Sequence, residues 1–334
     1  MNEIAPKPGI KGIVKKLGDV RETSLLMIII LCAVILTFTN EFFFTTANLQ
    51  TVLGSISING ILTIGMIVVM ITGGLDLSVG SVMCMSMAFA AQAILSGVPP
   101  LLACLIGIAA SALSGLLIGL VVTKLKLSHF IVTLCFMGIY RGVVYVMTAG
   151  KSISLVSTLK DMPKLAFLGS GYIGSYIPFT FVIFALLAVA ADLYARRSTR
   201  MRKLYYTGSN ELAAGHSGID TDRVKIGACV ACSTFAGVAG IIYMSKYSGV
   251  STSAGSGLEM TALSAAVIGG VSMNGGKGTV AGGLLGLLFI VLIQDAMNLF
   301  SVQAFWQDLI RYVIVLLAVI LDVVQETARK KKNS

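Results

Sequence analysis

The chain has 334 residues, 56% of them hydrophobic and 12% charged, with a mean hydropathy of +0.90 and a formal net charge of +10. That balance excludes a soluble globular domain, and apolar runs of about 20 residues, each able to cross a hydrocarbon core as a helix, exclude a barrel of alternating strands. The charge excess does not mark a nucleic-acid surface, because Lys and Arg gather in short clusters beside the apolar runs: five in residues 1–24, seven in 196–225 and four in 326–332.

The expected fold class is therefore an all-α membrane protein with about ten transmembrane helices. Residues 1–24 form a polar N-terminal tail. The apolar run that follows lacks a small-x-small cleavage site, so the first span is expected to be kept. Predicted spans are 25–39, 49–71, 76–96, 101–123, 129–149, 176–195, 224–245, 258–273, 279–300 and 305–323, within one polytopic transmembrane domain over 25–323. From a cytoplasmic N-terminus this even count places the Lys124/Lys126 turn, the 196–225 loop, Lys277 and the basic tail 324–334 on the cytoplasmic side. The tail run Arg329–Lys332 suits anionic lipid heads. Residues 150–175 are expected outside, as an ordered loop with one short helix.

Two glycine-rich breaks interrupt the apolar runs. The first carries Gly73, Gly74, Asp76, Ser78 and Gly80; the second carries Gly269, Gly270, Gly275, Gly276 and Gly278. Both follow an apolar run and open with Gly-Gly, which suggests a degenerate internal repeat. Broken backbone at membrane depth needs protein or water to satisfy it. The breaks are thus either tight turns at the inner face or unwound points of discontinuous helices lining a path. Asp76, with Ser78 beside it, fits the N-cap of a helix beginning at Leu77. Ser111-x3-Gly115-x3-Gly119, Gly237-x2-Gly240 and Gly283-x2-Gly286 are small-residue ladders that let helices pack closely. Cys229-x-x-Cys232 has redox spacing but lies in an apolar span, where cysteine serves as a small hydrophobe.

The interval Arg196 to Lys225 is the long internal segment too polar for a bilayer. Ser209-Asn210 signals a helix start, Glu211, Leu212, Ala213 and Ala214 favour a helix, and Gly215 and Gly218 signal a stop. Two turns are too short to stand alone in water. This short helix is either a docking knob, with Ala213 and Ala214 admitting a partner protein, or a loop helix packed on its own membrane domain.

Chemistry is not expected of this chain. A phosphate loop fails at 270–278, because the position five before Gly276 is Val271 and Lys277 is followed by Gly278. The histidines, His129 and His216, are far apart in sequence, and neither metal-ligand spacing nor a nucleophile with its base is present. Polar residues inside spans are costly and face protein or water. Asn59, Tyr140, Gln294 and Trp306 are translocation-path candidates, and Arg141 and Asp295 either pair across the fold or line the path. Asp308 with Arg311, and Asp192 with Arg196, are spaced to pair on one helix.

Gly208-Ser209-Asn210, Ala213-Ala214 and Ser217-Gly218-Ile219, together with Gly74-Leu75-Asp76-Leu77-Ser78-Val79-Gly80 and Gly269-Gly270-Val271-Ser272, resemble the permease subunits of bacterial ABC importers for ribose-type sugars. The resemblance runs from about Phe44 to Asp322, with Ser209 standing where that family has a second glycine. It implies a type II ABC-importer-like permease of the inner membrane that carries a monosaccharide. The segment Gly208–Gly218 would be the coupling helix that meets the ATPase. It implies cytoplasmic ATP-binding subunits that hold ATP and Mg, a soluble sugar-binding protein outside, and a second permease copy; no cofactor is expected on this chain. The alternatives are an ion-gradient-driven secondary transporter or channel, which would need Asp76, Asp295 or Arg141 as its coupling site, and a non-transporting scaffold.

Overall fold

Caps and turns cut the apolar runs into helices. The computed structural model describes residues 21–174 and 176–333. Helix α1 (Arg21–Thr39) precedes α2 (Thr46–Ile71), whose N-cap Thr45 accepts from Asn48 N. Then come α3 (Val79–Leu95), α4 (Pro100–Lys124), with proline at its first turn, and α5 (His129–Thr148). A loop region holds β1 (Ile153–Ser154), α6 (Val156–Lys160), α7 (Pro163–Ser170), β2 (Tyr172–Ile173) and β3 (Ile177–Pro178). The second half runs through α8 (Phe179–Arg197), α9 (Thr199–Ser209), α10 (Glu211–His216), α11 (Thr221–Tyr247) and β4 (Gly249–Val250). It ends with α12 (Leu258–Ile268), α13 (Val280–Leu299) and α14 (Ala304–Asn333).

Ten of these, α1–α5, α8 and α11–α14, build the bundle, eight running between its two ends and α3 and α12 reaching one end only. Seven are long and apolar enough to span a membrane, and α3 and α12 are shorter apolar helices. At the near end the Gly276 amide donates to the Ile71 carbonyl at 2.9 Å, Lys124 pairs with Asp222 at 3.1 Å, and Thr279 donates to Glu22 at 2.5 Å. At the far end Asn40 donates to the Leu299 carbonyl, β1 pairs with β4, and Ser245 donates to the Leu165 carbonyl. The Lys124/Lys126 turn, the 196–225 loop and Lys277 thus share one end, as the charge pattern predicts.

Boundaries differ where local chemistry overrides hydropathy. Helix α12 stops at Ile268 rather than 273, because Gly269-Gly270 ends it and Gly270 takes φ +95°. Helix α3 begins at Val79 rather than 76. The outer loop holds two short helices instead of one. The predicted tail 324–334 is a continuation of α14 as far as Asn333, and residues 1–20 of the predicted N-terminal tail lie outside the described residues.

Helix α11 lies along α4 and also packs on α2 and α3. The ladders make this possible: a β-carbon at Gly115 would stand 2.5 Å from the Cys229 carbonyl oxygen, and one at Gly119 would be 2.8 Å from Ile226 Cα. Helix α3 is buried along nearly its whole length, as expected of a helix apolar on every side. Its Met83, Met85, Met87, Cys84 and Ala88 fill irregular gaps around it. Helices α1, α5, α8 and α14 form the outer shell and leave large apolar side chains such as Leu31, Val146, Leu186 and Leu316 exposed.

Candidate functional site

The polar interval folds as two short helices. Ser198 caps α9 by accepting from Arg200 N at 3.1 Å, and Asn210 caps α10 by accepting from Ala213 N at 3.0 Å. The basic run before residues 208–218 is therefore helical, which its Lys and Arg content did not reveal. Helix α10 continues through Gly215 to His216; Gly218, at φ +80°, turns the chain out. Ser217 donates back to the Ala213 carbonyl, and Glu211 pairs with Lys225 of α11 at 2.6 Å. The two alanines part company. Ala214 is buried against the bundle, so it cannot admit a partner, whereas Ala213 and Leu212 face out, Leu212 being 78% exposed.

Beneath this surface three sequence motifs meet at one point. A β-carbon on Gly208 would collide with the Ile71 carbonyl oxygen and stand 2.6 Å from Gly276 N. Gly275, at φ +83°, leaves room for Gly73 N and the Gly208 carbonyl, and Gly276, at φ +71°, lies against Ser209. Tyr205 of α9 donates to the Gly278 carbonyl at 2.8 Å. Both glycine breaks therefore turn at the near end and touch the α9–α10 junction.

Beside α10 opens a cavity of about 840 Å³ whose lining includes Lys126, His129, Glu211, Leu212, His216 and Lys225. The two histidines, remote in sequence, share this cavity. Both ring nitrogens of His129 are buried without a hydrogen-bond partner.

The first break has a second property. After Gly74 the chain does not start a helix but enters the bundle as an irregular segment and turn, with the Leu75 carbonyl held by Thr133 at 3.1 Å. Asp76 is not the N-cap of a helix at Leu77. Its Oδ1 accepts from Ser78 N at 2.9 Å and Ser78 Oγ at 2.6 Å, and Ser78 precedes the helix start at Val79. Asp76 is fully buried, with Oδ2 lacking a partner by hydrogen-bond geometry and the Cys232 thiol as its neighbour on α11. Cys232 lies eleven residues into α11, about 16 Å along it at 1.5 Å per residue.

Helix α12 mirrors this arrangement from the other side. Residues 251–257 descend from β4 into the bundle, and Leu258 starts a helix of 11 residues, about 16 Å long. There the two helix starts meet: a β-carbon on Gly80 would press on the Gly255 carbonyl and stand 2.5 Å from Glu259 Oε2. The tight-turn and discontinuous-helix readings thus each hold for part of the motif. The Gly-Gly turns lie at the near end, and the helices α3 and α12 begin inside the bundle, N-terminus towards N-terminus.

The path candidates separate accordingly. Arg141 grips the descending loop, Nη1 donating to the Thr252 and Ala254 carbonyls at 2.7 and 2.8 Å. It does not pair with Asp295, which accepts from Asn48 at 2.9 Å near the far end. Tyr140 is buried and donates to the Ser114 carbonyl at 3.1 Å, joining α5 to α4. Asn59 has a buried Oδ1 without a partner, and Gln294 lies beside Arg311 at a small void between α12, α13 and α14. Trp306 is half exposed on the outer shell beside Phe305, away from the interior. Asp308–Arg311 and Asp192–Arg196 pair as spaced, at 3.1 and 2.6 Å. Glu259, at the start of α12, was missed; its position four residues after Gly255 in a Gly/Ser-rich run was the available signal.

An all-α, multi-span bundle with a short exposed helix seated on two glycine turns defines a membrane permease. The chain belongs to the family described as branched-chain amino acid transport system / permease component, which matches residues 48–319. It is 34% identical over 312 residues to the ribose import permease protein RbsC of Bacillus subtilis (strain 168), covering 93% of this chain and 94% of that protein. It is 35% identical over 303 residues to RbsC of Escherichia coli (strain K12), covering 90% and 93%. It is 32% identical over 303 residues to the autoinducer 2 import system permease protein LsrC of Salmonella typhi, covering 90% and 85%. No solved structure matches the chain.

Proposed function

We propose that the chain is the membrane subunit of an ATP-driven importer of a ribose-type monosaccharide or related small polyol, and that it carries out no catalysis itself. The carrying observation is the seating of α9 and α10 on both glycine breaks at once. A displacement of α10 is transmitted through one contact to α2 and α3 on one side and to α12 and α13 on the other. The names of the relatives support the sugar, and the motif resemblance supports ATP as the energy source. ATP and Mg belong to cytoplasmic ATP-binding subunits that dock on Leu212 and Ala213. A sugar-binding protein delivers substrate at the far end, and a second permease copy completes the path. The near end, with its Lys and Arg clusters, faces the cytoplasm together with both termini.

In this mechanism the junction of α3 and α12 is the moving part. Two helix starts offer backbone N–H groups that suit neutral hydroxyls, and rocking one start against the other exposes them alternately. The fully buried carboxyl group of Asp76, with no cationic partner among the described residues, favours the alternative, an ion-gradient-driven transporter, and energy dependence separates the two.

The test is ribose uptake in liposomes with the binding protein and ATP-binding subunits present. Uptake is expected to require ATP and to ignore proton and sodium gradients. Leu212→Glu or Ala213→Glu should lower uptake tenfold or more while the protein stays inserted and thermally stable. Ala214→Glu should instead destabilise the fold by roughly 3 kcal/mol or more, because it buries an unpaired charge. Uptake driven by an ion gradient without ATPase would overturn the energy source, and uptake of leucine in place of ribose would overturn the substrate.

A further inference from the structure

A second groove opens between α8, α9 and α11 at the near end, with a volume of about 750 Å³. Its walls are apolar and built from small residues: Ala190 and Ala191 on α8 face Gly227 and Ala231 on α11. No atom comes within 4 Å of a β-carbon built on Gly227, so the space is held open by the absence of a side chain there. Along α11 the lining runs from Arg223 to Phe235, twelve residues or about 18 Å. That is close to the depth of one leaflet of a hydrocarbon core about 30 Å thick.

The mouth of the groove has the opposite character. Arg200 and Lys203, on adjacent turns of α9, stand at its rim with Arg223. Arg223 is paired with Asp220 at 2.9 Å. Among the described residues Arg200 and Lys203 take part in no ion pair, and both are exposed. A slot one leaflet deep, apolar within and cationic at the mouth, has the polarity of a phospholipid in reverse.

We propose that this groove binds one anionic phospholipid, with an acyl chain between α8 and α11 and the phosphate against Arg200 and Lys203. A second copy of this chain fits less well, because its near end carries the same seven Lys and Arg over 196–225 and meets the rim with like charge. A free sugar lacks the apolar surface to fill the walls. The inference does not depend on what the protein transports.

The experiment is lipid retention by the full chain purified in neutral detergent, measured by native mass spectrometry after exposure to phosphatidylglycerol or phosphatidylcholine of the same acyl composition. Phosphatidylglycerol is expected to be retained in preference. Arg200→Gln/Lys203→Gln, both at exposed positions, should weaken that retention about 30-fold, the effect of two surface cations. Gly227→Leu should abolish retention of either lipid by filling the slot, and inorganic phosphate should not compete. Equal retention of the two lipids, or retention unaffected by the double Gln variant, would overturn the proposal. Full competition by phosphate would make this a free-anion site, and a loss of dimer in Gly227→Leu with lipid retention intact would make it an interface between copies; either result also rejects it.

Discussion

Gly208→Val should abolish uptake while leaving the bundle in the membrane. The new side chain would be driven into the Ile71 carbonyl, which already accepts from Gly276 N at 2.9 Å, so relieving the clash means breaking that bond or unseating α9. Overpacking of this kind costs about 1–3 kcal/mol, and a lost backbone hydrogen bond adds about 1 kcal/mol. Both costs fall on the contact that joins the exposed helix to the two turns. Limited trypsinolysis reports the outcome directly, since Arg196, Arg197, Arg200, Arg202 and Lys203 lie just before the junction: cleavage there should accelerate tenfold or more. Gly215→Ala is the matched control. A β-carbon at Gly215 meets nothing within 4 Å, and alanine is the better helix former, so cleavage should be unchanged or slower. Equal cleavage of Gly208→Val and the wild-type chain would show that the junction is not a fixed joint.

The second large effect is expected at Arg141. Arg141→Met removes the donor that holds the Thr252 and Ala254 carbonyls at 2.7 and 2.8 Å, and so frees the loop that carries the start of α12. Hydrogen bonds to a charged group contribute about 1.5–3 kcal/mol each, so a loss of roughly 3 kcal/mol is expected, read as a fall in thermal midpoint. Arg141→Lys should restore only part of it, because an ammonium lacks the planar fork. Cys84 supplies a local reporter. Its thiol is buried, 3.5 Å from the Ser251 carbonyl and 3.7 Å from that of Thr252, and it should become open to a membrane-permeant maleimide in the Met variant while Cys229 and Cys232 stay protected. An unchanged labelling pattern would mean that the loop is held by packing and not by Arg141.

These two sites also mark the boundary between what the sequence makes legible and what it hides. Span positions, the shared end of the basic turns and the short helix after Asn210 follow from local chemistry: hydropathy length, positive charge and a capping side chain. The meeting of Gly73, Gly208 and Gly275 does not, because each glycine satisfies a neighbour more than 60 residues away, and a glycine in sequence does not announce which backbone approaches it. Ala213 and Ala214 look alike as a pair, yet successive residues of a helix point about 100° apart, so one is buried and one exposed. Asp76 misled for a related reason. An acidic residue before an apolar run is a good cap, but here Ser78 takes the helix start and Asp76 is folded into an internal turn. Arg141 showed its cost in the sequence but not its partner, because its acceptors are backbone carbonyls, which every residue has.

The burial of α3 sets a problem of timing during synthesis. Its surroundings include α11, whose first residue, Thr221, is made 126 residues after Leu95. At about 5–20 residues per second, α3 waits about 6–25 seconds for that neighbour, and Asp76 waits longer still for the Cys232 thiol. Through that interval the nascent chain must shelter a carboxyl group and a Met-rich helix with α4 and α5 alone, which arrive first and also touch α3. The innermost helix is therefore among the earliest made, yet it is enclosed only when α11 follows.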